Sequence, residues 1–302
     1  MMQARSYEGL QDLHAMLDLL AEGRKADNGT YYVHGGDLQW WLFYTDLPPQ
    51  TWQSNIRLWM QDGRLIGWAL LSHNEDAFDV FADPRLRGDA LEHEMFAWAV
   101  EQMSAHDSVQ TVWVAEDDEA HIHWLEGNGF AREQSHIILF KRALSGPLEG
   151  SLLPEGFSIR TSRGEEDAQL RSVASHAAFG SRKSFEEYWP RTLRLMQSPV
   201  YVPQHEIFIN APLGGVAAYC IVWTDTLNKA GHFEPVGTHP DFQRKGLGKI
   251  LLFESLRRLK SEGMSEASVC TNHDNAAAIR LYESVGFQKA KRLLTFRKGN
   301  TL

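Results

Sequence analysis

Residues 238–249, Thr-His-Pro-Asp-Phe-Gln-Arg-Lys-Gly-Leu-Gly-Lys, join a run of strand character to a strongly amphipathic helical pattern. Gly246 and Gly248 stand two apart, which lets a ligand approach the backbone closely. The helix that follows begins with unpaired N–H groups and a partial positive charge. Arg244 and Lys245 add full charges, so this turn suits a pyrophosphate. It is not a nucleoside-triphosphate P-loop, because Gln243 stands where the first glycine is needed and Ile250, not Ser or Thr, follows Lys249. A second pattern, Asn275-Ala-Ala-Ala278-Ile-Arg-Leu281-Tyr282-Glu283-Ser-Val-Gly286-Phe287, opens a helix and closes it with glycine. Glu116-Asp117-Asp118-Glu119 with His121 and His123 could hold a cation by residue type alone. Alternate helix positions point to different sides, so a solvated helix start is expected there and no metal.

The elements that must hold these residues follow from periodicity. After a break rich in Gly, Pro and Ser at 143–156, a strand is expected at 157–161 and helices at 165–178 and 184–196. Ser184 before Glu186 and Glu187 reads as an N-cap with an acidic first turn. Leu170, Val173 and Ala177 are expected on the buried face of the first of these helices. A hairpin at 205–210 and 215–223, a strand at 232–238, a helix at 249–259, a strand at 266–271, a helix at 275–284 and a strand at 291–297 complete this half. The first half keeps the same order. Helical pattern covers 10–20 and 38–44, and a hairpin turns at Asp62-Gly63 between 55–61 and 64–71. A strand at 78–82, a helix at 91–103, a strand at 110–115, a helix at 119–127 and a strand at 135–141 follow. Trp124-Leu-Glu-Gly-Asn-Gly-Phe130 lies 157 residues before Leu281-Tyr-Glu-Ser-Val-Gly-Phe287. The matching order and this local identity indicate a tandem duplication with domains at 1–145 and 151–302.

Composition limits the classes. With 302 residues, 43% apolar and 23% charged, the chain has side-chain volume for two cores and is neither disordered nor of low complexity. Its longest apolar runs, 216–223 and 65–71, fall far short of the roughly 18–20 residues a membrane span needs, so no membrane partner is expected. The N-terminal pattern reads as an amphipathic helix and not a secretory signal, which leads us to expect a cytoplasmic protein. Cys220 and Cys270 are expected as buried reduced thiols. Residues 1–145 carry 10 Lys and Arg against 23 Asp and Glu, while 146–302 carry 20 against 16. The acidic whole argues against nucleic-acid binding, and the asymmetry assigns any anionic ligand to the second half. Eight of the ten tryptophans lie in the first half, where core packing is the simpler role and a cation–π wall for an amine the other.

Together the two motifs resemble the GNAT superfamily of N-acetyltransferases. The pattern Gln/Arg-x-x-Gly-x-Gly matches Gln243, Gly246 and Gly248 after Pro240, and Asn-x-x-Ala-x-x-Leu-Tyr-Glu-x-x-Gly-Phe matches Asn275 through Phe287. The resemblance implies an α/β (α+β) fold of two tandem GNAT domains, each a mixed, mostly antiparallel twisted sheet flanked by helices. It implies binding of acetyl-CoA and transfer of its acetyl group to an amine. The pyrophosphate turn carries over to Gln243, Arg244, Lys245, Gly246, Leu247, Gly248 and Lys249, and the pantetheine arm to the backbone of Val236, Gly237 and Thr238 and to Asn275. Tyr282 matches the family's general acid, since a phenol of pKa ~10 can protonate a thiolate of ~8.5–9. Glu234 is the natural general base for an amine of pKa ~10.4; His232 and His239 flank it as backups, each expected more simply as a surface residue.

The first half departs from this pattern. Its turn, Asp83-Pro-Arg-Leu-Arg87-Gly88-Asp89-Ala-Leu91, is shorter and has one glycine, and Leu125 and Asp118 stand at the places of Tyr282 and Asn275. It therefore resembles a degenerate GNAT copy. The tandem arrangement is similar to that of the mycothiol synthases, although no residue identifies a thiol-sugar acceptor. The expected function is acetyl transfer to a small-molecule amine in the second half of a monomer or homodimer. A protein or peptide acceptor, or a non-catalytic acyl-CoA sensor, are the alternatives.

Overall fold

The computed structural model describes residues 2–27, 34–45, 49–86, 90–106, 109–150 and 152–299. They divide into two compact units, Met1–Ile138 with Lys291–Leu302, and Leu139–Ala290. The strands in chain order are β1 (Met2–Ser6), β2 (Ile56–Gln61), β3 (Arg64–Ser72), β4 (Ala77–Ala82), β5 (Gln110–Ala115), β6 (Ala131–Ala143), β7 (Ser158–Thr161), β8 (Glu206–Asn210), β9 (Val216–Asp225), β10 (Ala230–Thr238), β11 (Glu266–Asn272) and β12 (Gln288–Lys298). No helix among the described residues is long and apolar enough to cross a membrane.

In the first unit β1 to β4 run antiparallel in sequence order, β5 lies parallel to β4, and β12 pairs antiparallel with β5. The β2–β3 turn puts Asp62 at φ 50° and Gly63 at φ 80°, the left-handed pair that suits a two-residue hairpin. Strand alternation sends Leu58, Trp68 and Leu70 to one face, under helix Leu10–Ala26. Trp59, Ala69 and Phe78 go to the other, under helix Ala90–Ala105, where Leu294 and Phe296 of β12 join them. Trp41, Trp59 and Trp68 are buried, which is the core role. The N-terminal residues form β1, and the helix begins at Leu10, where the 10–20 pattern puts it, and runs on to Ala26.

The second unit repeats this plan. Strands β7 to β10 are antiparallel neighbours, β11 is parallel to β10, and the end of β6 lies beside β11. Each unit thus takes its sixth strand from the other half of the chain: 291–298 serve the first unit and 139–143 the second. One side-chain arrangement recurs in both units. Arg5 reaches Asp12 at 2.8 Å while the Glu8 N–H donates to the same carboxylate at 2.7 Å. Arg160 reaches Asp167 at 2.6 Å and the Arg163 N–H donates at 2.7 Å, each position 155 residues on. The mixed, mostly antiparallel α/β architecture is the one expected.

Ser184 caps helix Phe185–Met196 reciprocally with Glu187, as its sequence suggests. Helix Ala168–Ala178 is turned differently from the expectation. It buries Ala168, Arg171, Ser172, Ala174 and Ser175, while Val173 is 51% exposed. The cause is an ion pair: Arg171 donates to Glu206 at 3.0 Å with both side chains fully buried, and it lies 4.5 Å from the centre of the Tyr219 ring. Cys220 is buried, its thiol pushed up to about 12 by burial, whereas Cys270 is only half-buried.

Candidate active site

The site begins where β10 loses one of its neighbours. Pairing of β10 with β11 ends at Phe233–Val269, but pairing with β9 continues to Thr238–Ala218, with a register break between Phe233 and Val236. Pro235, within the break, has no N–H to give to a ladder. Val236, Gly237 and Thr238 are thereby paired on the β9 side and face a cavity on the other. A Cβ on Gly237 would come within 2.6 Å of the Tyr219 ring, so glycine is required here by cross-strand packing.

The chain then turns sharply into the helix Leu247–Ser261. Gln243 donates to the Thr238 carbonyl at 3.3 Å, Arg244 takes φ 60° and Gly246 φ 76°. Gly246 is the N-cap and brings no side-chain oxygen to the first turn, and Gly246, Leu247 and Gly248 at this helix start line the cavity. A Cβ on Gly248 would sit 3.2 Å from Leu281 and 3.6 Å from the Thr238 hydroxyl.

The far wall is helix Ala276–Ser284. The Asn275 side chain accepts the Ala278 N–H at 3.1 Å, so this residue caps the helix as well as bordering the cavity. Tyr282 is 5% exposed, with Phe140 at 5.8 Å and Phe287 at 6.2 Å between ring centres. Burial pushes its phenol above the usual range, and the nearby Cys270, Glu234 and Cys220 act in the same direction. A phenol so placed stays protonated at neutral pH and has a proton to donate.

A cavity of about 620 Å³ gathers Val236, Gly237, Thr238, Gln243, Arg244, Gly246, Leu247, Gly248, Lys249, Asn275 and Tyr282. Lys245 and Glu234 are outside its wall. The Glu234 side chain is 32% exposed and lies 3.7 Å from His232, which is 2% exposed and so not the surface residue expected. Sequence reasoning missed Phe179 and Arg280 on the wall. Arg280 precedes Leu281 and Tyr282 on their helix and was legible by position; Phe179, on the loop after helix Ala168–Ala178, carries no local signal. The charged side chains on the wall, Arg244, Lys249 and Arg280, are all cationic. The residues fit an anionic ligand with an extended arm, as acetyl-CoA is.

The corresponding region of the first unit is built differently. Asp118 caps helix Glu119–Gly127 as Asn275 caps its own, and Leu125 is fully buried in place of Tyr282. His121 lies between Glu92 at 2.5 Å and Asp118 at 2.7 Å. Burial opposes its charge, but these two carboxylates hold the imidazole above its usual range. The expected solvated helix start is therefore a half-buried ion-pair cluster. Arg87, Gly88 and Asp89 of the altered turn lie outside the described residues.

Residues 171–287 match the acetyltransferase (GNAT) family. The mycothiol acetyltransferase of Streptomyces coelicolor is 26% identical over 306 residues, covering 97% of this chain and 95% of that protein. That of Actinosynnema mirum is 30% identical over 164 residues, 53% of this chain and 54% of that one. Among solved structures, a tandem GNAT protein from the clavulanic acid biosynthesis pathway superposes with TM-score 0.71 at 18% identity, over 100% of this chain and 99% of that one. A GCN5-related N-acetyltransferase from Sphaerobacter thermophilus gives 0.68 at 19%, over 100% and 96%.

Proposed function

We propose that this chain is an acyltransferase of the GNAT family in tandem form, and that it moves the acetyl group of acetyl-CoA to a primary amine of a small molecule. Transfer is direct and occurs in the unit Leu139–Ala290. The observation that carries this reading is a cavity bounded by a half-paired strand edge, a cationic helix-start turn and a buried phenol. The turn suits the pyrophosphate, and the free side of Val236–Thr238 suits the pantetheine amides, like an added strand. Acetyl-CoA supplies the thioester. Glu234 takes a proton from the acceptor ammonium, leaving a lone pair on nitrogen. As the C–N bond forms and the C–S bond breaks, a backbone N–H of the β10 edge stabilises the carbonyl oxygen, and the Tyr282 phenol gives its proton to the departing thiolate. The phenolate so formed takes the second proton that the nitrogen sheds, leaving a neutral amide, CoA thiol and the phenol restored.

The relatives' name, mycothiol acetyltransferase, supports acetyl as the group moved and a small molecule as acceptor. Residues 1–145 we assign to a degenerate, non-catalytic GNAT copy and 151–302 to the catalytic one, because Leu125 offers no proton where Tyr282 does. The test is CoA release from acetyl-CoA against short alkylamines, amino sugars, cysteinyl amines and lysine peptides, with calorimetry of acetyl-CoA alone. Turnover on a small amine and one binding site per chain are expected. Turnover on peptides alone would assign a peptide acetyltransferase, and binding without turnover a sensor.

A further inference from the structure

Glu234 does not stand alone on its strand. His232, two residues earlier, is on the same face by strand periodicity. The parallel register sets Ser268 of β11 directly across from His232, and the imidazole Nδ1 lies 2.9 Å from the Ser268 hydroxyl. Both are shut from solvent, at 2% and 3% exposure. The other ring nitrogen, Nε2, faces the Glu234 carboxylate at 3.7 Å. The Glu234 backbone is held as well, its carbonyl accepting the Trp223 indole N–H at 2.8 Å. The ring is thus buried with a hydroxyl at hydrogen-bond distance from Nδ1 and a carboxylate within ion-pair distance of Nε2, and burying so polar a ring costs desolvation.

We propose that His232 is a positioning residue for the reaction, oriented by Ser268 and holding the Glu234 carboxylate toward the acceptor nitrogen. The inference rests on the assignment of Glu234 as the base. In this arrangement the ring does not touch substrate. It limits the rotamers of a carboxylate that is otherwise one-third exposed, so that the oxygen taking the proton is already in place. Removing the ring leaves the carboxylate free to turn to solvent, and removing Ser268 loosens the ring.

The experiment measures kcat and KM with the best acceptor from the amine panel for full-length wild type, His232→Ala, His232→Gln, Ser268→Ala, Glu234→Gln and the double variant His232→Ala/Glu234→Gln. For His232→Ala we expect kcat to fall by about 10–100-fold with the KM for acetyl-CoA unchanged, a share of the ~10²–10⁴-fold of general-base catalysis. Ser268→Ala should fall about 3–10-fold, and His232→Gln, whose amide can replace Nε2, should recover most of the loss. The double variant should be no slower than Glu234→Gln within about twofold, because a positioning residue has nothing left to position. Losses that multiply in the double variant, or full rate in His232→Ala beside a slow Glu234→Gln, would overturn the coupling alone. Full rate in Glu234→Gln would remove the base assignment and the inference with it, as would a panel without any turnover. Ser268→Ala and His232→Gln preserve a polar or small residue at each place, so a folding failure of His232→Ala still leaves the chain tested.

Discussion

Replacing Gly248 by Asp separates charge from shape at the pyrophosphate turn. The new Cβ would meet Leu281 at 3.2 Å and Thr238 at 3.6 Å, a contact that a leucine methyl can relieve by a few tenths of an ångström. Gly248→Ala therefore serves as the steric control and should weaken acetyl-CoA binding only a few-fold. The aspartate carries its carboxylate to the cavity wall in the first turn of the helix. At about 5 Å from a doubly charged pyrophosphate and an effective dielectric of ~40, repulsion amounts to roughly 3 kcal/mol, which is ~10²–10³-fold in Kd. In the free protein the same charge is favourable, by about 0.3–1 kcal/mol, because it lies at the positive end of the helix dipole. Calorimetry should show the loss of affinity, and thermal unfolding should show a Tm equal to or above wild type. Affinity within about threefold of wild type would refute an anion site at this turn, and an equal loss in Gly248→Ala would make the effect steric.

Tyr282→Phe should lower kcat by roughly 10²–10⁴-fold while leaving the Kd for acetyl-CoA unchanged, and an unaltered rate would dismiss the phenol as acid. Because burial raises this phenol, ultraviolet titration should find it still protonated at about pH 10, and the folded state should lose stability only as pH climbs beyond that value. Burial works against the Asp167 carboxylate, but hydrogen bonds from Arg160 and Arg163 outweigh it and lower its pKa to about 2. The pair thus stabilises the fold above the ordinary carboxylate pKa, and that contribution fades as pH falls from about 5 toward 2. Asp167→Asn should be less stable at pH 7 and flatten that acid slope in urea unfolding; an unchanged slope would dismiss the linkage. A fragment of residues 156–302 should be insoluble or inactive. It lacks Leu139 and Phe140, the latter packed on Tyr282, and it carries Leu294 and Phe296 without the β5 and helix 90–105 residues that bury them. A soluble monomer with wild-type turnover would refute this.

The parts of this protein built from near neighbours in sequence were legible in its residues. Spacing of two glycines after Gln243 located the turn, and the Asn275–Phe287 pattern located the helix beside it, because both elements are built by residues that are near neighbours in sequence. The hairpin at Asp62-Gly63 and the Ser184 cap are local in the same way. What periodicity could not reach depended on partners far along the chain. Helix Ala168–Ala178 hides Arg171 and exposes Val173 because Glu206 waits beneath it, 35 residues away. His232 has no apolar pattern to mark it as interior, and only the register of β10 with β11 gives it Ser268. Gly237 looks like a ligand-binding glycine but is required first by the Tyr219 ring. The last strand of each copy is equally silent: nothing in residues 139–143 or 291–298 names a partner, and tertiary pairing alone decides that 291–298 complete the first unit and 139–143 the second.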